Sequence, residues 1–325
     1  MKEMLRKISQ PINSNLKEFD IHFDNSLKSD VKIINTIVKY IVKKKGKRLR
    51  PKLSILCAKI CGDINSNTYK VASLLEILHV ATLVHDDVVD DSELRRGWPS
   101  VGRIWKNKLS ILVGDYLFSK ALTNMADINS IESVQILANL ASRLSQGEIL
   151  QIERAINKDM NEEVYFKMIS DKTASLFSAS CQLGAITVTD NKKQIQALAS
   201  FGELLGQAFQ IKDDLFDIIG NIDNLGKPSG YDLKKNMLTL PLIHILSQKK
   251  ALQQKMFKLE LKRHVKSNNL NKIKNIIRNE GGIEYAESKL LEISRMARKE
   301  IDIFEDSDLK EALIMALEFN LIRKV

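Results

Sequence analysis

The chain has 325 residues, of which 44% are hydrophobic and 28% charged, enough to bury one large core or two moderate ones. Only 14 glycines and 5 prolines punctuate it, which argues against a turn-rich sheet protein and points to an all-α fold. The net charge of +10 is spread through Lys-rich helices with little aromatic interleaving, a pattern that argues against nucleic acid and suits polyanionic small substrates or an anionic lipid surface.

Residues 1–30 read as a helical arm with a break at Pro11, suited to packing or subunit contact. The N-terminal twenty residues mix charges and contain no signal-type apolar core. No run reaches the roughly 18 apolar residues of a membrane span, and the chain reads as soluble and cytoplasmic. The spacing predicts a helix over 31–45, a basic loop GKRLRP at 46–51 punctuated by Gly46 and Pro51, and an apolar helix over 52–61. Lys47, Arg48 and Arg50 make that loop either a solvated corner or a phosphate-binding one. Cys57, Cys61 and Cys181 suit no disulfide framework and no zinc site, and read as reduced thiols.

A helix over 69–90 is apolar nearly all round and so should be central. It ends in LVHDDVVDDSELRRG, residues 83–97. On a helix Asp86 and Asp90 stand about 40° apart around the axis and roughly 6 Å along it, so their carboxylates repel unless a cation lies between them. Asp87 and Asp91 add charge, and Arg95 and Arg96 follow: hard oxygen ligands beside guanidinium forks suit a magnesium-bound polyphosphate. A solvated acidic helix end is the alternative for this cluster alone. His79 lies two turns below Asp86 on nearly the same face.

Helices are predicted over 110–126, 133–155 and 162–185. Asp115 and Glu148 inside them read as hydrogen-bonded structural groups, and Lys172 and Thr173 as groups that could reach a diphosphate oxygen. The second acidic stretch, FQIKDDLFD at 209–217, puts Gln210, Asp213, Asp214 and Asp217 on one face of an apolar helix. Carboxylates there are costly unless paired or metal-bound. A long Gly- and Asn-rich loop follows, of the length typical of functional lids, with Lys227 its best phosphate group. Further helices run from 242 to the end, with a break and restart at 280–286. No repeat or linker divides the chain, so residues 1–325 are expected to form one domain, the arm 1–30 and the helices of 242–325 included.

These motifs resemble the trans-isoprenyl diphosphate synthases, or polyprenyl synthetases. The similarity is carried by GKRLRP, LHVATLVHDDVVDDSELRRG, LVGDYLFSKA, DKTASLF, FQIKDDLFD and GKPSGYDLKKNMLTLP, from Gly46 to Pro241. The resemblance implies a bundle of ten or more mostly antiparallel helices around a deep central cavity, usually as a homodimer. It implies that isopentenyl diphosphate is condensed with an allylic diphosphate. Asp86, Asp90, Asp213, Asp214 and Asp217 would ligate several Mg2+ ions, with Asp87 in support. Lys47, Arg50, His79 and Arg96 would hold isopentenyl diphosphate; Arg95, Lys172, Thr173, Gln210 and Lys227 would hold the allylic diphosphate. Asp86, Asp87, Asp90, Lys172, Asp213 and Asp214 would carry catalysis.

The chain departs from the family where many members have a lysine after a Glu-Gly pair; here stand Lys235, Asn236 and Met237, and Lys234 or Lys235 could substitute. In the family, bulky aromatics just before the first aspartate set stop chain growth. Thr82 and Ala81, above Leu78, are small, which favours a long, octaprenyl-type product for a quinone side chain over geranylgeranyl or farnesyl diphosphate. The resemblance leaves room for peripheral membrane contact during product release. A terpene cyclase would normally lack the second DDxxD, and a non-catalytic partner subunit would usually lose one of the two aspartate sets.

Overall fold

The computed structural model describes residues 2–43, 46–95, 97–219, 237–267 and 269–322, and these are all but entirely helical. The arm is α1 (Lys2–Ser9) and α2 (Asn13–Ser26), followed by α3 (Lys32–Lys43). Next come α4 (Leu49–Cys61) and α5 (Ser66–Val89). A two-residue hairpin, β1 (Leu94–Arg95) against β2 (Trp98–Pro99), leads into α6 (Val101–Ala126) and α7 (Ile131–Asn157). Then come α8 (Glu162–Ile169), α9 (Ser175–Ile186) and the long α10 (Lys192–Ile219). The remainder is α11 (Leu240–Ser247), α12 (Ala251–Lys266), α13 (Leu270–Asn279), α14 (Gly282–Glu300) and α15 (Asp308–Ile322).

The predicted helices are present, with shifted ends. Pro51 does not stop a loop: it lies in the first turn of α4, where a missing N–H costs nothing. Arg50 therefore rides on a helix. The segment predicted as one helix over 162–185 is two, joined by a π-turn, Ser170–Ala174, in which the Ser175 N–H reaches back to the Ser170 carbonyl. Asn65 caps α5 through the N–H groups of Asn67 and Thr68. The helix then runs through the core, with Leu74, Leu75 and Ile77 wholly buried and α2, α4, α6 and α9 around it.

Two apolar clusters make the interior, and α10 belongs to both. Ile195, Leu198, Phe201 and Leu205 pack into the first, with α4, α5 and α9. Ala208, Ile211, Leu215 and Ile218 pack into the second, with α8, α11 and α14. The second half of α10 thus has one face fixed in apolar packing, and its polar residues are forced to the other face. No described helix is long and apolar enough to cross a membrane.

Candidate active site

The polar face of α10 is internally wired. Asp214 is 5% exposed; one carboxylate oxygen accepts from the Tyr165 hydroxyl at 2.7 Å and the other from the Gln210 amide at 2.8 Å. Gln210 in turn accepts from the Thr173 hydroxyl at 2.7 Å. Asp213 and Asp217, on the same face but half-buried, border open space. The chain Tyr165–Asp214–Gln210–Thr173 fixes the floor beneath them.

The π-turn carries Lys172 and Thr173. Its backbone lies so close to α7 that a Cβ on Gly147 would sit 2.4 Å from the Lys172 nitrogen, so only glycine permits this approach. Arg143 staples the turn. Its guanidinium donates to Asp171 at 2.7 Å, to Glu203 at 2.6 Å and to the Ser170 carbonyl at 3.1 Å. Burial pushes the Asp171 carboxyl up, but hydrogen bonds from Arg143 and Lys167 outweigh it and hold the group below the usual carboxylate range. Lys172 Nζ, held out by this turn, meets Glu148 at 2.5 Å and Gln151 at 3.0 Å. Gln151 also reaches the sulfur of Met237, at 3.0 Å.

Across from it stands the end of α5. The Asp86 carboxyl is pushed up to about 6 by burial, opposed by Lys172, reinforced by the charge of Glu148, opposed again by Arg95 and reinforced again by Asp90. Asp87, 100° further round the helix, is 6% exposed and gripped by Arg95 through both oxygens, at 2.7–2.8 Å. This pair borders a small cavity of about 90 Å³, with Tyr40 and Trp98, that meets the larger cavities at His79 and Leu83. The basic loop divides in the same way. Arg48 turns toward the arm, pairing with Asp20 and stacking over Phe19 and Phe23. Arg50 meets the His79 ring nitrogen at 3.1 Å and lies over Phe177, while Lys47 lies over Phe319.

Three cavities join through shared walls. The first, about 620 Å³, is lined by Lys47, Arg48, Arg50 and His79, with the buried acid Glu76 and with Phe209. Arg50, His79 and Phe209 also line the second, about 580 Å³, where they meet Thr82, Asp86, Glu148, Lys172 and Asp213. Lys172, Thr173, Gln210 and Asp213 then border the third, about 390 Å³, with Asp90 and Asp217. The three adjoin as a groove that leads from a cationic corner to two acidic helix faces. Leu83, Val89, Leu144, Ile149 and Leu176 give its middle section an apolar wall. Of the proposed length-setting residues, Thr82 is on that wall, whereas Ala81 and Leu78 are in the packed core at 0% and 1% exposure. Arg96, Lys227, Lys234 and Lys235 lie outside the described residues.

The donor set fits a hard divalent cation. Asp86, Asp90, Asp213 and Asp217 offer only oxygen, and the burial of Asp86 beside like charges leaves an anion that a cation would relieve. Among the described residues no three acidic, histidine or cysteine side chains converge on a single point.

Sequence reasoning missed Tyr165, Arg143 and Gln151, and read Glu148 as structural. Tyr165 in an apolar helix and Arg143 in a mixed one carry no local signal, because their partners are fixed only by helix packing. Glu148 and Gln151, one turn apart in α7, were a visible polar pair.

The polyprenyl synthetase family model matches residues 31–279. The octaprenyl diphosphate synthase of Haemophilus influenzae is 34% identical over 89% of this chain and 88% of its own length. A short chain isoprenyl diphosphate synthase of Methanothermobacter thermautotrophicus is 30% identical over 99% and 98%. Among solved structures, a polyprenyl synthase from Caulobacter crescentus, complexed with calcium and isoprenyl diphosphate, superposes with a TM-score of 0.91 at 30% identity, covering 99% of this chain and 98% of that one. With the family model spanning both aspartate sets and relatives aligned nearly end to end, the chain belongs to the polyprenyl synthetase family and is a prenyltransferase of isoprenoid biosynthesis.

Proposed function

We propose that the protein is a magnesium-dependent trans-polyprenyl diphosphate synthase that condenses isopentenyl diphosphate with an allylic diphosphate to make an octaprenyl-type product. The row of adjoining cavities carries this reading: a cationic corner at one end, acidic faces at the other and an apolar wall between them. Lys47, Arg50 and His79 hold the diphosphate of isopentenyl diphosphate in the corner. Lys172, Thr173 and Gln210 orient the allylic diphosphate against the two acidic faces. Divalent ions held by Asp86, Asp90, Asp213, Asp214 and Asp217, directly or through water, would supply charge neutralisation to that leaving group.

The allylic C–O bond breaks toward the diphosphate, and its electron pair leaves with the departing oxygen. The alkene of isopentenyl diphosphate, aligned from the cationic corner, then forms the new C–C bond with the allylic carbon. A proton lost to the departed pyrophosphate restores an allylic double bond in a product longer by one unit. The apolar wall excludes the water that would otherwise capture the cation.

Product length rests on Thr82, the only one of the proposed length-setting residues on the groove, and on its small size. The short-chain Methanothermobacter relative favours a second reading, geranylgeranyl diphosphate. We further propose a homodimer. Exposed Ile104, Ile111 and Leu122 run along α6, and Ile131, Val134, Ile152 and Ile156 along α7, a stripe that a second copy would cover.

The test is product analysis. Purified protein with farnesyl and isopentenyl diphosphates and magnesium is expected to release pyrophosphate and build a ladder ending near the octaprenyl length. A ladder ending at geranylgeranyl diphosphate gives the second reading, and no pyrophosphate release from the protein alone removes the synthase reading. Light scattering on the same preparation reads the oligomeric state.

A further inference from the structure

Helix α12 departs from the usual layout of a surface helix, which buries one apolar stripe and turns polar residues outward. Its buried stripe is ordinary: Phe257 and Leu261 are 6% and 5% exposed. The face nearly opposite is apolar too. Leu252, Met256 and Leu259 stand at i, i+4 and i+7, within about 60° of one another, and are 71%, 64% and 52% exposed. Along one flank of this ridge run Lys255, Lys262 and Lys266, all exposed, with Arg263 in the line of the ridge itself. The 16-residue helix carries Lys255, Lys258, Lys262, Arg263 and Lys266 against a single acid, Glu260, and Lys249 and Lys250 lead into it.

An exposed apolar ridge beside a cationic flank matches a surface with anionic headgroups outside and acyl chains just beneath. A second copy matches it poorly: pairing the same face on itself would bring two cationic flanks together. Nucleic acid would use the lysines and leave the ridge in water. We propose that α12 docks the protein on an anionic bilayer, laying Leu252, Met256 and Leu259 into the headgroup region with Lys255, Lys262, Arg263 and Lys266 against lipid phosphates. The neighbouring α13 is tied to the acidic helix, since Lys274 Nζ donates to the Ile219 carbonyl at the end of α10 at 3.0 Å. Docking would therefore hold the end of α10 near the lipid. The proposal rests on the surface alone and is independent of the product's length.

The test is flotation of the full-length protein with vesicles of phosphatidylcholine alone and of phosphatidylcholine with phosphatidylserine. The protein is expected to float only with the anionic vesicles and to release as salt is raised. Met256→Asp should abolish flotation. The double change Lys255→Gln and Lys262→Gln should lower partitioning roughly 25-fold, about fivefold for each cation removed. Ile303→Asp, at an exposed apolar position elsewhere (55%), should change nothing, and all variants should keep the parent's melting temperature and vesicle-free turnover. Failure to float, equal flotation with neutral vesicles, or unchanged flotation of Met256→Asp would each overturn the proposal. So would a fall in oligomeric mass on Met256→Asp, which would make the ridge a protein interface.

Discussion

Lys172 Nζ lies 2.5 Å from Glu148 Oε2, and the same glutamate contributes negative charge at Asp86. Glu148 thus acts on both sides of the groove. It gives the lysine a partner until a diphosphate supplies a better one, and it discourages ionisation of the aspartate opposite. Asp86 is held up at about 6 chiefly by burial, so the charged form that binds a cation dominates only above that pH. Glu148→Gln removes one of the charges that raise it. At magnesium concentrations well below saturation, where kcat/KM reports the metal-free site, the acid limb is therefore expected to lie near pH 6 in the parent and to move to lower pH in Glu148→Gln. A pH–rate profile of both proteins checks it, and an unmoved acid limb would disconnect Glu148 from Asp86.

The same raised value predicts a stability effect. An aspartate that titrates near 6 when folded and near 3.8 when unfolded binds more protons in the folded state between those values. Stability without metal must then fall as pH rises through that window. Asp86→Asn is expected to raise metal-free stability at neutral pH by about 1–3 kcal/mol and to flatten the slope below it. It should also forfeit part of the stabilisation that magnesium pyrophosphate gives the parent. Melting curves in chelator and in magnesium pyrophosphate measure both; a metal-free Asp86→Asn protein that melts lower at neutral pH would count against a destabilising carboxylate.

The acidic faces were legible in the sequence because i, i+4 and i+7 spacing on an apolar helix fixes which residues share a side, whatever the helix packs against. What each carboxylate does on that side was not legible. Asp214 resembles Asp213 in every local respect, yet its two oxygens are taken by Gln210 and by Tyr165, which lies 49 residues away in sequence. Asp87 is set apart from Asp86 by the hairpin, which brings Arg95 back onto it. Lys47, Arg48 and Arg50 read as one basic loop. Starting α4 at Leu49, with Arg48 in the left-handed region at φ 47°, sends Arg48 to the arm and Arg50 to His79. The π-turn had no local signature, since the glycine that admits it and the arginine that holds it, Gly147 and Arg143, lie on another helix.

Thr82 and Ala81 are neighbours in sequence but 100° apart around α5, and only Thr82 borders the groove. Thr82→Phe is expected to fill the apolar section of the groove and shorten the product without loss of stability. Ala81→Phe places its ring in the packed core, where exposure is zero, so it should lower stability by about 1–3 kcal/mol through overpacking and alter product length less than Thr82→Phe does. Chromatography of the dephosphorylated products beside melting curves separates the two. Parental product lengths from Thr82→Phe would remove this wall from chain-length control.

Gly147 and Gly184 offer a matched pair for the π-turn. A Cβ on Gly147 would lie 2.4 Å from the Lys172 nitrogen and 2.8 Å from its Cα; one on Gly184 would lie 2.2 Å from the Ser54 carbonyl oxygen between α9 and α4. Both alanines must push packed backbones apart, at a cost of about 1–3 kcal/mol each. They differ in what moves. Gly184→Ala shifts two helices at a contact that borders none of the groove's cavities, whereas Gly147→Ala shifts the turn that aims Lys172 and Thr173. Gly184→Ala is expected to melt lower and keep its kinetic constants for the allylic diphosphate. Gly147→Ala should melt lower by a similar amount and also lose roughly 10- to 100-fold in kcat/KM for the allylic diphosphate, the worth of one or two charge-assisted hydrogen bonds to the leaving group. Steady-state kinetics on both variants, at a temperature where both are folded, decide it. Equal kinetic constants in the two would mean that the turn's position does not govern how the allylic diphosphate is held.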